Sequence, residues 1–415
     1  MSVIEKCSTR VKNKDYRYAL TITSQFYFCG VPFRLDAAPN CSMGCMYCFA
    51  MARGGRKTSD NLIVDENKII RKINRTVLPV NNAFDITSEM LNAKVPIHLG
   101  GVSDPFSNQV TTSKSLKLLK SLGESNYPII ISTKNTDELT KDKTLKILKK
   151  CKNIVIQVSF IHPSNDIARI VEPNAPIPED RLKGLEFLSK ENFHTIARLQ
   201  PLFIPWIDHI EKDLIPSLGS IGCRHVIVEF LKLPVEKKVW LVEEMFKQIS
   251  WNGFDFYKEA GAELVGREWI LPNHYKWKLL QPIIRAIHNS GMTYGAADYG
   301  LTHLGDTDCC CGIDKLDGFS SWFKANFSYI IKQSIYGDLS FNDVLKYWLP
   351  DKSISMYVNS HSRLQDGKTV FDYLKNKWNR PGTSNAPDTF LGVSWNGSFD
   401  QNGNCIYHKG NIPDY

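Results

Sequence analysis

Five short apolar runs, at 95–99, 128–133, 154–160, 195–199 and 226–231, recur along the first half of this chain with helical stretches between them. Runs of this length, rich in β-branched residues, fit strands buried on both faces of a parallel sheet. The stretches 113–122, 137–150, 179–191, 207–218 and 235–249 repeat their apolar residues at helical spacing. In the first of them Leu116, Leu119 and Leu122 share a face and Gly123 is the expected stop. Pro216 is expected to end its helix early. A strand over 26–33 and a helix near 67–77 supply one more unit. Six βα units predict an α/β fold, a partial (β/α)6 TIM-like barrel with helices outside, followed by a C-terminal α+β extension. The expected boundaries are an N-terminal extension over 1–24, the barrel over 25–250 and the extension over 251–415.

Barrels of this kind carry their chemistry at the C-terminal ends of the strands. The loop that follows the first strand holds Cys41, Cys45 and Cys48 in a C-x3-C-x2-C run. Iron–sulfur clusters are held by cysteine thiolates, and a four-iron cluster in a purely structural or electron-transfer role takes four. Three thiolates leave one iron open to a further ligand, which the amino and carboxylate groups of S-adenosylmethionine can fill. Gly44 lets the backbone wrap closely, and Tyr47 and Phe49 flank the last thiolate, where they would shield it from water. A zinc knuckle is the plainer alternative, but structural zinc usually takes two paired clusters of ligands, and the chain has no second C-x2-C.

This loop resembles the signature of the radical S-adenosylmethionine superfamily. The blocks HLGGVSDPF at 98–106, IIISTKN at 129–135, VSF at 158–160, VEPNAPIPEDRLKGL at 171–185 and ARLQPLFIP at 197–205 follow in order. Together they are similar to the spore photoproduct lyase-like branch, the proteins often labelled DNA repair photolyases, over about residues 25–235. The resemblance implies a radical S-adenosylmethionine barrel with a [4Fe-4S] cluster on Cys41, Cys45 and Cys48. It implies reductive cleavage of S-adenosylmethionine to a 5′-deoxyadenosyl radical that abstracts hydrogen from a nucleic-acid or nucleotide substrate, in a lyase or modification reaction. An electron donor such as flavodoxin or ferredoxin is implied as a partner. Gly100 and Gly101 are implied contacts of the methionine amino group; their plainer reading is a strand-to-loop turn.

Other residues at the strand ends are candidates from their own chemistry. Lys134 closes a very apolar strand, where an ammonium needs an anion, and the cofactor's methionine carboxylate is a natural one. Ser103, Ser132 and Ser159 offer hydroxyl contacts to the cofactor. Asp104 fits either a cofactor or substrate contact or a turn cap. Arg198 alternates with apolar neighbours on a strand, so it is expected inside the barrel, paired with Glu172; Arg181 is the other basic residue of that group.

Cys309, Cys310 and Cys311 stand side by side after Asp306 and Asp308. On a strand or a helix three consecutive thiols diverge, which argues against one shared ion. Three readings stay open: ligands of a second cluster or zinc completed by Cys223, Cys405, His303, His361 or His408; a hydrogen-atom donor to a substrate radical; or small buried residues without chemistry.

Beyond 318, Trp322, Phe323, Phe327, Tyr329, Tyr347, Trp348, Tyr373, Trp378 and Trp395 are interleaved with Lys and Arg. That mixture suits stacking on nucleic-acid bases and equally suits an ordinary core, the reading favoured here. Lys and Arg total 51 against 43 Asp and Glu, a net charge of +8, which fits a polyanionic partner or simple solubility. The 11 cysteines are odd in number and scattered, no signal peptide opens the chain, and no apolar run reaches bilayer length. The expectation is a cytoplasmic enzyme without a membrane partner. Two alternatives remain: a radical enzyme tailoring a peptide or small metabolite with an auxiliary metal site, and a non-catalytic iron–sulfur or zinc protein binding nucleic acid.

Overall fold

The computed structural model describes residues 14–23, 25–52, 62–74, 86–235, 239–319, 321–334, 337–357, 368–383 and 386–409. Its centre is one sheet of eight strands: β1 Leu20–Ile22, β2 Phe33–Leu35, β3 Ile97–Leu99, β4 Ile129–Thr133, β5 Ile154–Phe160, β6 His194–Leu202, β7 His225–Phe230 and β8 Thr293–Ala296. Seven of them are parallel and lie side by side in chain order, and β1 pairs antiparallel with β2 at the edge. Sequential order means every crossover turns the same way, which puts the helices on one face. The end strands β8 and β1 are not paired with each other, so this α/β fold is a partial barrel.

Alternation along the strands separates two faces. Ile97, Leu99, Ile129, Ile131, Ile156 and Val158 join the main core under the helices. Ile130, Val155, Ile196 and Ile227 point the other way, into a second core completed by Cys309, Ile313 and Phe323. The segment after β8 therefore folds back to fill the inner face of the sheet.

Several elements depart from expectation. The run 26–33 is not a strand: β2 begins at Phe33, after Pro32, which lacks the donor a central strand needs. Phe26 and Tyr27 are buried instead by aromatic packing on Trp348, Tyr373 and Phe327. Gly123 does not end its helix, which runs over Gln109–Glu124 from an Asn108 cap; Gly123 allows close packing on Cys151, where a Cβ would meet the sulfur at 2.8 Å. The 137–150 helix is two, Thr136–Thr140 and Asp142–Leu148. Pro216 does not stop its helix either. A π-helical turn over Ile210–Leu214 resets the ladder, and Pro216 then falls in the first turn of Ile215–Ser220, where its missing N–H costs nothing. The expected helices near 67–77 and 235–249 are seen over Glu66–Asn74 and Val239–Gln248, with 75–77 and 236–238 outside the described residues.

The sheet also draws β1 and β8 from outside 25–250, β8 arriving after the helix Asn273–Asn289. Beyond it, three antiparallel strands, Gly337–Leu339, Cys405–Lys409 and Ser394–Phe399, pack with short helices including Val370–Trp378. Trp322, Phe327, Trp348, Tyr373 and Trp378 are buried in the main core and Phe323 in the inner-face core, so these aromatics build cores; Trp395 is 39% exposed. Among the described residues no helix is long and apolar enough to cross a membrane.

Candidate metal and cofactor site

Cys41, Cys45 and Cys48 lie in the loop beyond the C-terminal end of β2, half-buried and free of disulfides. The Cys48 N–H donates to the Cys45 carbonyl at 3.1 Å, and Gly44 sits at φ +66°, a value few side chains tolerate. Burial pushes the Cys45 thiol up to about 12, opposed by Lys134, and raises Cys41 with help from Asp104. A thiolate here needs a cation beside it, which is what a metal cluster supplies.

Asp36, fully buried, holds this loop to the next. Its carboxylate accepts from the N–H groups of Val102 at 2.9 Å and Ser103 at 3.0 Å and pairs with Arg34. Ser103 donates to the Ala38 carbonyl at 2.8 Å, so its hydroxyl serves the loop. Gly100, at φ +91°, lies where a Cβ would meet the Ser132 carbonyl at 2.4 Å, and a Cβ on Gly101 would meet Arg34 at 2.5 Å. Packing alone thus requires both glycines. Asp104 accepts from Thr133 Oγ1, the Lys134 N–H at 2.7 Å and the Phe106 N–H at 2.9 Å. Of its two readings, the turn cap is the one made in this structure.

Glu172 is the hub of the mouth. It is fully buried, ion-paired with Arg181, 3.6 Å from Lys134 Nζ, and accepts from the Tyr47 hydroxyl. Burial raises its pKa, but Arg181 and Lys134 outweigh that and hold it below the carboxylate range. Burial lowers Lys134, yet Cys45 and Glu172 bring it above the usual lysine value. Arg181 is anchored further by the Pro176 and Ser159 carbonyls at 2.7 and 2.9 Å. The expected pairing of Arg198 with Glu172 is therefore not made: Arg181 holds Glu172, and Arg198 donates to Gln200. Tyr47 packs edge-on against Phe203, and Phe49 is 49% exposed.

Below the mouth, on the inner face, Ser132 Oγ binds the His98 ring and accepts from Gln157 Nε2 at 2.6 Å. Burial, then Arg198 and Arg34, drive His98 down to about 3, so it is neutral. Gln157 is fully buried and its Oε1 has no partner among the described residues. Asp36, His98 and Gln157 were not among the candidates read from sequence. Alternation with Ile97/Leu99 and Ile156/Val158 was the available signal for the last two.

Cys309, Cys310 and Cys311 lie apart from the thiol loop, at the N-terminal side of the sheet. The Cys310 carbonyl accepts from His225, the first residue of β7, at 2.9 Å. Their divergence, expected on a strand or helix, does not occur: they occupy a tight turn, Gly312 N–H to Cys309 carbonyl at 2.8 Å, and their sulfurs lie within 4.8 Å of one another. Cys223 instead donates to the Thr195 and His225 carbonyls, and Cys405 sits in the C-terminal sheet; His361 lies outside the described residues.

No protein-family model matches this chain, and no curated protein matches it significantly. Among solved structures, spore photoproduct lyase complexed with dinucleoside spore photoproduct superposes with a TM-score of 0.47 at 13% identity, over 65% of this chain and 79% of the lyase. SuiB of Streptococcus suis gives 0.36 at 14% identity, over 55% of this chain and 48% of SuiB. The cobalamin-dependent S-adenosylmethionine radical enzyme OxsB gives 0.31 at 10% identity, over 52% of this chain and 30% of OxsB. The functional reading rests on the chain's own residues.

Proposed function

We propose that this chain is a radical S-adenosylmethionine enzyme. The observation that carries the reading is three free thiols, Cys41, Cys45 and Cys48, gathered beyond the C-terminal end of a parallel strand beside Lys134 and Glu172. Three thiolates suit a [4Fe-4S] cluster with one open iron. When bound, cluster and S-adenosylmethionine supply hydrogen-abstracting radical chemistry.

The protein's part is to hold and orient. Lys134, already balanced by Glu172, offers its ammonium to a carboxylate at the mouth, and Arg181 keeps Glu172 ionised while it does so. Gly100 and Gly101 bring backbone close to the ligand. Ser132, Gln157 and His98 line the inner face as neutral hydrogen-bonding groups, with Ser159 further along the strand of Gln157 and Arg198 on the next strand. Asp36, Ser103 and Asp104 act through the loops they fix.

For substrate, the reading is a nucleic acid or nucleotide, supported by the net charge of +8. The test is anaerobic reconstitution with iron and sulfide. The protein is expected to bind about four irons, and reduction with S-adenosylmethionine is expected to release 5′-deoxyadenosine. Ala at Cys41, Cys45 and Cys48 together should abolish both. Continued release of 5′-deoxyadenosine by the triple variant would overturn the assignment, and iron binding without any release would favour a non-catalytic cluster protein.

A further inference from the structure

We propose that Cys29, Cys309, Cys310 and Cys311 form a structural zinc site of four thiolates at the closed end of the partial barrel. The trio is preassembled. The turn closed by the Gly312 N–H, with Gly312 at φ +64°, gathers the three sulfurs on one side. Cys310 Sγ and Cys311 Sγ are 3.9 Å apart. Zinc–thiolate bonds of about 2.3 Å in a tetrahedron give a sulfur–sulfur edge of about 3.8 Å. The Cys310–Cys311 spacing is that of one tetrahedral ion, and the other sulfur pairs lie within 4.8 Å.

The fourth thiol comes from the other end of the sequence. Cys29 packs into the same small core as Cys309 and Cys311; its sulfur stands outside the trio's 4.8 Å group and donates to the Val31 carbonyl at 3.3 Å, so it would turn from that carbonyl to the ion. Its neighbour Gly30 has no Cβ, and one placed there would meet Cys309 Sγ at 2.5 Å, so the 29–30 backbone lies against the trio. All four cysteines are free of disulfides. The surroundings close the site: Ile130, Val155, Ile196, Ile227 and Phe323 leave an apolar wall. His225 is not a competing ligand, because its two nitrogens bind Thr293 Oγ1 at 2.8 Å and the Cys310 carbonyl. That second bond and the one from Thr307 Oγ1 to the Cys309 carbonyl, 2.7 Å, brace the turn from both sides. Cys309 is buried and Cys29, Cys310 and Cys311 are half-buried; four thiolates on one ion would leave no open position, as in a closed structural site. Such a site would tie the segment before β2 to the segment after β8, the two ends of the barrel sequence.

The site is independent of the radical chemistry, and metal analysis separates them. Full-length protein produced in zinc-supplemented medium is expected to carry about one zinc per chain. The Cys41/Cys45/Cys48 triple Ala variant should keep that zinc while losing its iron. Cys29→Ser and Cys310→Ser should each lower zinc several-fold and leave cluster iron in place. As a check that needs no variant, cobalt(II) loading of wild type should give the intense thiolate charge-transfer and visible bands of a tetrahedral cobalt–cysteine centre. Wild type without zinc, iron in place of zinc in the triple Ala variant, or full zinc in Cys29→Ser would overturn the proposal.

Discussion

Glu172 shows how much one side chain can organise. It is fully buried, faces Arg181 and Lys134, and accepts from Tyr47. Glu172→Gln keeps the shape and removes the charge, leaving two buried cations without their anion. Breaking a buried pair this way costs about 3–5 kcal/mol, which should appear as a lower denaturant midpoint with unchanged slope. The pH dependence has a definite sign. Its carboxyl is held below the ordinary range, so its stabilisation is present above the unfolded-state value and is lost as pH falls through the lower folded value. Wild type should therefore lose stability below the usual carboxylate range, and Glu172→Gln should show a shallower loss there. Equal acid sensitivity in the two proteins would count against this role.

At the scale of elements, the long apolar strands were legible because β4, β5, β6 and β7 declare themselves by β-branched runs, and their order followed from the helices between them. β8 was not. Thr293–Ala296 is four residues with a glycine inside, a pattern that propensity reads as loop. Tertiary contact requires that glycine: a Cβ on Gly295 would meet the Cys310 carbonyl at 2.1 Å and His225 at 2.4 Å. The same limit applied to the site. The cysteine loop and Lys134 were visible as spacing and as a charge after an apolar run, whereas the partner of Glu172 depended on which loops meet, which spacing does not encode. Gly295→Ala should push the cysteine turn off the sheet. A cost of about 1–3 kcal/mol is expected for overpacking, measured by thermal or denaturant unfolding. Equal stability of wild type and Gly295→Ala would contradict the packing of that turn.

On the scale of the whole molecule, the C-terminal aromatics that sequence left open between base stacking and core are mostly core. The case for a nucleic-acid substrate therefore rests on charge and has to be tested as charge. Phosphate contacts release counterions, so log affinity for a single strand falls with log salt by about 0.7 per phosphate neutralised. With a surplus of eight basic residues spread over 415, a real nucleic-acid site must concentrate several of them at the barrel mouth. Binding of a labelled single-stranded oligonucleotide, measured by anisotropy across a salt series, should then show a slope of about −2 to −4, three to six phosphates at that coefficient. A shared site predicts more. S-adenosylmethionine turnover should be stimulated by the same oligonucleotide, and the stimulation should fade over the same salt range. Salt-insensitive affinity, or binding without any effect on turnover, would point to the alternative of a peptide or small-metabolite substrate, with the positive charge serving solubility.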